Sequence, residues 1–167
     1  AWTVHQMSGG RLILGVGPGS TGTDFQAMDG DFPGRFARFA DQVGELAAIF
    51  ADGAANGVDL SPFAAGAPPV MIGAWRGPWV ERAATNHQGW IASAGYNDDL
   101  TLAGALGRFR SAGGQRAICT NIQLGDDLDA GLERARHLAE LGFDDIVVFD
   151  TAFTLERAAE IRSALID

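Results

Sequence analysis

Five short apolar runs divide the chain, and longer amphipathic stretches lie between them. Each run is continuous rather than alternating, a pattern typical of parallel strands that are buried on both faces. The runs lie within residues 10–20 (GRLILGVGPGS), 68–75 (PPVMIGAW), 89–95 (GWIASAG), 116–125 (RAICTNIQLG) and 144–150 (DDIVVFD). The pattern therefore predicts five parallel strands.

Between these runs, apolar residues recur at spacings of three and four, which predicts helices. The clearest helix covers residues 33–51, where Pro33 suits the first turn. Further helices are predicted at residues 78–86, 98–112, 126–141 and 153–166, with Asp126 as an N-cap and Gly142 as a stop. This alternation indicates a parallel α/β fold. Residues 53–69 are interpreted as an insertion loop, which in such folds often borders a ligand site.

The composition narrows the functional classes. With 167 residues, 47% of them hydrophobic, the chain can bury the core of one domain. Its formal net charge of -9 argues against a nucleic-acid or anionic-membrane partner, because phosphate binding needs a concentrated positive field. Every basic residue is an arginine, which excludes Schiff-base chemistry and a P-loop lysine. No apolar run approaches the roughly 20 residues of a membrane span. The single cysteine fits a reducing compartment, so we expect a cytoplasmic protein.

Neither the histidines nor the acidic clusters suggest a metal site. His5, His87 and His137 are scattered and lack the spacing of metal ligands. The clusters NDD (97–99) and GDD (125–127) resemble helix caps more than ligand sets. Cys119 lies in the middle of a predicted strand and is expected to pack in the core, whereas His137 is expected to be solvated. We therefore expect no metal.

Three glycines follow the first apolar run at alternate positions, Gly15, Gly17 and Gly19. Bare backbone lets a flat or phosphorylated ligand approach closely, although the glycines could also serve only a tight turn. A dinucleotide fingerprint needs Gly-x-Gly-x-x-Gly opening a helix, then an acidic residue after a second strand. Here the third glycine comes one position early, Ser20 stands in its place, and no second strand follows before residue 40. A nucleotide-binding Rossmann domain is therefore disfavoured.

The order of motifs resembles a known family. The segment HQMSGGRLILGVGPGSTGTDFQAMDGDFPGRFARFADQVGEL resembles the central part of the bacterial luciferase-like flavin monooxygenases and their deazaflavin-dependent relatives. PPVMIGAWRGPWVERAATNHQGWIAS, TNIQLGDD and LAELGFDDIVVF resemble the units that follow it. The resemblance implies a (β/α)8 TIM barrel with FMN or coenzyme F-420 at the carboxyl ends of its strands. The chain, as a single luciferase-like domain, would supply roughly the fourth to eighth strands.

The resemblance also implies which residues contact the cofactor. Gly15, Gly17 and Gly19 would lie against the ring system, and Arg38 would add a further contact. The phosphate would be bound by the turn GAWRGP, through backbone N–H groups, a helix N-terminus and one guanidinium. Its residues are Gly73, Ala74, Trp75, Arg76, Gly77 and Pro78. Trp75 and Trp79 depart from the small, hydroxyl-bearing residues that family members often carry here. Arg35 is expected to be an ordinary surface charge, and Arg11 to order the turn that precedes the first strand.

The expected function is that of a flavoprotein or F-420-dependent oxidoreductase acting on a small-molecule substrate. No catalytic residue can be carried over, because in the deazaflavin relatives these come largely from the earlier strands. The alternative is a non-catalytic flavin-binding or interaction protein of the same fold. Because an open set of strands exposes unpaired edges, we also expect a homo-oligomer or a fragment of a longer chain.

Overall fold

The computed structural model describes residues 1–55, 57–59, 66–75, 77–151 and 154–166. Its helices are α1 (Trp2–Met7), α2 (Gly22–Ala27), α3 (Arg35–Asp52), α4 (Trp79–Asn86), α5 (Asp99–Ser111), α6 (Leu128–Glu140) and α7 (Leu155–Ile166). Its strands are β1 (Leu14–Val16), β2 (Ala54–Ala55), β3 (Val58–Asp59), β4 (Val70–Gly73), β5 (Gly89–Ser93), β6 (Ala117–Gln123) and β7 (Asp145–Phe149). Within these ranges, no helix combines the length and the apolar character needed to cross a membrane.

Five of the strands form one parallel sheet in the order β1-β4-β5-β6-β7. Each long strand is thus followed, after its helix, by its neighbour in the sheet. Strands β5 and β6 pair with Trp90 opposite Ala117 and Ser93 opposite Thr120. The pairing of β6 with β7 shifts register between Cys119 and Ile122. All five predicted strands are present, which confirms the α/β class with parallel strands.

The chain forms two compact units, Ala1–Met71 and Ile72–Asp167. In the first unit, α3 buries Phe39 and Val43 and ends at Gly53, whose φ of 66° is left-handed. The N–H of Gly53 donates to the carbonyl of Ile49 at 3.0 Å and so closes the last turn. The indole of Trp2 lies 6.0 Å from the ring of Phe50, which joins α1 to the far end of α3.

Two sequence-based expectations for the first unit were wrong. Pro33 does not occupy the first turn of α3, because the helix begins at Arg35 with Gly34 as its N-cap. The Asp31 carboxylate accepts the Gly34 N–H at 3.0 Å and holds this turn outside the helix. The insertion loop at residues 53–69 is not wholly irregular, since β2 and β3 pair antiparallel within it. Residues 56 and 60–65 of that loop lie outside the described part of the chain.

The second unit has a core between the sheet and its helices. The Trp90 ring packs between Phe109 of α5 and Phe143, with centroid distances of 5.7 Å to each. Cys119 and Ile122 of β6 are fully buried, so the expected core position of the cysteine is confirmed. A second cluster joins Leu124, Leu132 and Ile161, and it links the end of β6 to α6 and α7.

Acidic side chains begin the two longest helices of the second unit. The Asp98 carboxylate accepts the Thr101 N–H at 2.7 Å, and the Asp127 carboxylate accepts the Ala130 N–H at 3.1 Å. The cap of α6 is therefore Asp127, and the prediction of Asp126 was wrong by one residue. Gly142, with a φ of 106°, follows the end of α6, as predicted.

The outermost strands depart from the prediction that strands are buried on both faces. In β1, Gly15 is exposed between two half-buried neighbours. In β7, Val147 is 48% exposed and Phe149 is 51% exposed. Their sequence neighbour Val148 instead packs against the cluster of Leu124, Leu132 and Ile161. Among the described residues, the helices of this unit therefore cover one face of β7 and leave the face of Val147 and Phe149 open.

Candidate functional site: two glycine-rich strand ends

The three glycines at the end of β1 and in the loop that follows it differ in backbone conformation. Gly19 has a φ of 78°, and a Cβ there would lie 2.7 Å from the ring of Phe25, so this position requires glycine for structural reasons. Gly15 and Gly17 have no positive φ and are exposed. A positive φ therefore requires glycine at Gly19 but not at Gly15 or Gly17.

Arg35, the first residue of α3, is a structural part of this loop. Its Nε donates to the carbonyl of Gly19 at 3.2 Å, and its Nη1 donates to the carbonyl of Phe32 at 2.9 Å. The guanidinium also lies over two rings, 3.9 Å from the centroid of Phe32 and 4.5 Å from that of Phe36. The expectation of an ordinary surface charge was wrong. Arg35 fixes the glycine-rich loop against α3.

Arg38 lies one turn further along α3, with its side chain exposed. Its backbone N–H continues the helix by donating to the carbonyl of Gly34 at 3.1 Å. The proposed contact between Arg38 and a cofactor stays a prediction.

The turn before β1 is ordered as the sequence suggested. The Arg11 N–H donates to Ser8 Oγ at 3.2 Å, and Arg11 Nε donates to the Ser8 carbonyl at 2.8 Å. Ser8 Oγ in turn donates to the carbonyl of His5 at 2.9 Å. The expected role of Arg11 is confirmed, and its Nε is engaged by the chain itself. His5 is 2% exposed, and its Nδ1 has no hydrogen-bond partner among the described residues.

The second glycine-rich turn follows β4 and leads into α4. Ala74 is buried, and its carbonyl accepts the indole N–H of Trp90, which anchors the start of the turn in the core. Gly77 has a φ of 64°, and a Cβ there would meet nothing within 4 Å. Pro78 is the N-cap of α4 rather than its first residue. Arg76, the predicted phosphate ligand, lies outside the described residues.

The first turn of α4 has a helix N-terminus, which favours an anion, and an acidic side chain, which opposes one. The N-terminus of a helix suits a phosphate, and that of α4 follows an open glycine. Glu81 adds a negative charge in the same turn, and its Oε1 lies 3.4 Å from Arg108 Nε. Its Oε2 is buried and has no partner among the described residues. The Arg108 ion pair therefore offsets part of a charge that would otherwise repel an anion.

A third polar feature, which the sequence analysis missed, lies at the carboxyl ends of β5 and β6. Asn121 has a φ of 59°, which is uncommon for a residue other than glycine, and its Nδ2 donates to Ser93 Oγ at 3.0 Å. The only signal in the sequence is a polar TN pair inside the apolar run RAICTNIQLG. The contact between Asn121 and Ser93 accompanies a register shift in the pairing of β6 with β7, and the sequence pattern does not show this shift.

The titratable groups of the second unit are explained by burial or by helix capping. Burial raises the pKa of the Cys119 thiol to about 11, so the thiol is protonated at neutral pH. Partial burial lowers the pKa of His87, and His137 is exposed on α6 as expected. Asp98 and Asp127 are helix caps, in agreement with the interpretation of both acidic clusters. Within the described ranges, no three His, Cys, Asp or Glu side chains are grouped as metal ligands would be.

Five parallel strands in sequential order, with helices between them, define an α/β protein, and this order is consistent with part of a (β/α)8 barrel. Residues 1–118 match the family model of the luciferase-like monooxygenases. This match covers both glycine-rich loops, and the chain belongs to this family, as the order of its motifs indicated. The family is one of oxidoreductases.

A solved structure supports the fold. The chain is similar to the monooxygenase RslO1 from Streptomyces bottropensis, with a TM-score of 0.74 and 16% sequence identity. The alignment covers 97% of this chain and 69% of that chain. At this identity the likeness establishes a shared fold, and it confirms the predicted partial barrel. None of the curated proteins matches the chain.

Proposed function

We propose that this chain provides cofactor-binding elements of an oxidoreductase that uses FMN or coenzyme F-420. The observation that carries the proposal is the pair Gly15 and Gly17, which are exposed and have ordinary backbone conformations. A positive φ does not account for glycine at these positions, and the absence of a side chain suits the close approach of a flat ring. The match to the luciferase-like monooxygenase family over residues 1–118 supports an oxidoreductase, and the flavin or deazaflavin ring is the part that we add as a proposal.

Each loop has a separate task in this proposal. The backbone of Gly15 and Gly17 contacts the ring system, and the loop keeps its shape because Arg35 holds the Gly19 carbonyl. In the second unit, residues 73–78 and the N-terminus of α4 bind the phosphate through backbone N–H groups, with Arg76 as an additional cation. Gly77 leaves open space where a side chain would otherwise stand. Arg38 is proposed as a further cofactor contact.

The cofactor supplies the redox chemistry, and the chain positions it and stabilises its charge. A small-molecule substrate and a cytoplasmic location complete the proposal. The alternative function, that of a non-catalytic flavin-binding protein, predicts the same binding without turnover of any substrate.

The test is a titration of the purified 167-residue chain with FMN and, separately, with F-420, followed by fluorescence. We expect one of the two to bind, and Gly17→Leu to weaken that binding at least about tenfold, equivalent to about 1.4 kcal/mol. The matched control is Gly44→Leu, because Gly44 is also exposed and a Cβ there would meet nothing within 4 Å. A folded wild-type chain that binds neither cofactor up to about 1 mM would contradict the proposal.

A further inference from the structure

A loop of the first unit has a small core of its own. The loop covers residues 19–34, between β1 and the start of α3, and we refer to it as the flap. Its helix α2 buries no residue. The rings of Phe25 and Phe32 meet edge to face with centroids 5.3 Å apart, and the Gly30 N–H donates to the Phe25 carbonyl at 2.7 Å. Compact surface loops that are packed by their own side chains are frequently functional.

Both ends of the flap have residues that suit a hinge. Gly17 and Gly19 lie at the first end, and Gly34 stands at the second end, directly before α3. Glycine has the widest range of backbone conformations, and hinges are a few loop or terminal residues that absorb such changes. The helix α3 is anchored in the core of its unit, because Phe39 and Val43 are buried. The flap can therefore turn as one body against a fixed helix.

The side chain of Arg35 holds the flap in its present position. One guanidinium joins the two ends, since its Nε donates to the Gly19 carbonyl at 3.2 Å and its Nη1 donates to the Phe32 carbonyl at 2.9 Å. The same group lies 3.9 Å from the centroid of the Phe32 ring. Hydrogen bonds and cation–π contacts near solvent are individually modest, so this latch can break and form again.

In this position the flap leaves the end of β1 uncovered. Gly15 and Gly17, which precede the flap along the chain, are exposed, and Met28 at the end of α2 is 84% exposed. A ring that lies on the backbone of Gly15 and Gly17 keeps its other face in water. Closing the flap over that ring would take apolar surface of both out of water, which favours the closed position.

We propose that the flap is a lid, hinged at its glycines and latched open by Arg35, that closes over Gly15 and Gly17 when the cofactor lies there. Closing releases the guanidinium from the Gly19 carbonyl, and the burial of the ring offsets the contacts that are lost. Lids of this kind exclude water from a bound ligand and limit the rate of its release. The inference rests on the proposed function for its ligand, whereas the latch is a property of the ligand-free chain.

The test measures the distance between two spin labels within the first unit. Gln26→Cys places one label on α2 and Glu45→Cys places the other on α3, both at exposed positions. The native Cys119 is fully buried, and burial raises its pKa to about 11, so labelling is confined to the introduced thiols. We expect one main distance in the ligand-free chain and a second one after saturation with FMN or F-420.

Arg35→Gln should favour the second distance even without a ligand. We expect the ratio of the closed to the open population to rise about tenfold, because the variant removes a cation–π contact and two hydrogen bonds. Arg35→Lys keeps the charge but not the planar fork, so it should give a smaller shift in the same direction, and it replaces the first variant if that one does not fold. The matched control is Arg162→Gln, at an exposed arginine of α7, which should leave both populations unchanged.

The outcomes separate this inference from the proposed function. If neither cofactor binds the wild-type chain, the proposed function fails and this inference fails with it. If a cofactor binds and the distance between the labels does not change, the lid is disproved while the proposed function stands. Identical ligand-free distances in the wild type and in the Arg35 variants would show that Arg35 is not a latch.

Discussion

At the scale of single residues, Arg110 shows how one guanidinium can hold several turns. It lies in the last turn of α5, and its Nη1 donates to the carbonyls of Gly114 and Gln115 at 3.1 and 2.5 Å. Its Nη2 donates to the Gly142 carbonyl at 2.9 Å and to Asp144 Oδ2 at 2.7 Å. The turn that leads into β6 and the turn that leads into β7 are thus joined through one side chain.

Asp144, the partner of Arg110, makes the stability of the chain depend on pH. Its burial alone raises the pKa, but hydrogen bonds from the Ala117 N–H and Arg110, together with the Arg110 charge, outweigh it and lower the pKa. The carboxylate's contribution is therefore complete above its ordinary pKa of 3.8 and is lost as the pH falls through the lower folded value. We expect Asp144→Asn to flatten the acid side of the stability curve, measured by urea unfolding from pH 2 to pH 7.

The matched control for this prediction is Asp41→Asn, at an exposed position of α3. It should leave the acid side of the curve close to that of the wild type. An Asp144→Asn curve that is parallel to the wild-type curve below the ordinary pKa would contradict the assignment.

The role of a residue was predictable from the sequence where its partner lies only a few residues away along the chain. The bond between Arg11 and Ser8 spans three residues, and the helix caps follow from an acid that precedes an apolar pattern. Asp126 and Asp127 are equally good caps by type, so only the fold could choose between them. Arg35 was misjudged because one of its partners, the Gly19 carbonyl, lies sixteen residues earlier, and periodicity carries no information about such a contact.

At the scale of elements, α6 packs closely on the end of β6 because Gly131 has no side chain. A Cβ at Gly131 would lie 2.6 Å from the Leu124 backbone, a distance that requires the helix to move. We expect Gly131→Ala to lower the free energy of unfolding by about 1–3 kcal/mol, as overpacking of a core does. Urea unfolding followed by circular dichroism measures the change.

The same substitution at Gly104 should have the opposite sign. Gly104 lies in α5, is exposed, and a Cβ there would meet nothing within 4 Å. Alanine is the better helix former, so Gly104→Ala should raise the free energy of unfolding by up to about 1 kcal/mol. If Gly131→Ala were as stabilising as Gly104→Ala, the close packing of α6 on Leu124 would be disproved.

The long elements were predictable because their patterns extend over several residues. The predicted strand at 144–150 and the predicted helix at 98–112 differ from β7 and α5 by only one residue at each end. The short elements α1, α2, β2 and β3 were missed, because six residues or fewer carry too little periodicity. Asn121 was also missed, since its conformation depends on the pairing of β6 with β7.

At the scale of the whole chain, periodicity predicted the α/β class but could not have selected the barrel. The order of glycine-rich strand ends carried that information, and the family match over residues 1–118 confirmed it. The positions of the ligand-binding residues do not follow from this order alone. Contacts of Gly15 and Gly17 with a cofactor stay predictions, whereas Gly19 is explained by its positive φ and its packing on Phe25.

The open face of β7 leads to a prediction about association. β7 is the last strand in the order of the sheet, and it exposes about half of Val147 and Phe149. An edge strand with apolar exposed side chains is a template for pairing with another chain. We expect the isolated chain to self-associate, so that light scattering gives a mass that rises above 17.5 kDa with concentration.

Polar substitution of that face should reverse the association. The double variant Val147→Thr and Phe149→Thr keeps residues that suit a strand but removes the apolar surface, so its mass should stay at that of one chain. Leu100→Gln is the control, because Leu100 is 84% exposed on α5 and lies outside β7. A wild-type chain that remains monomeric at every concentration would show that β7 is not an association surface. Equal association of the wild type and the double variant would place the contact elsewhere, because the driving force assigned here is the burial of those two side chains.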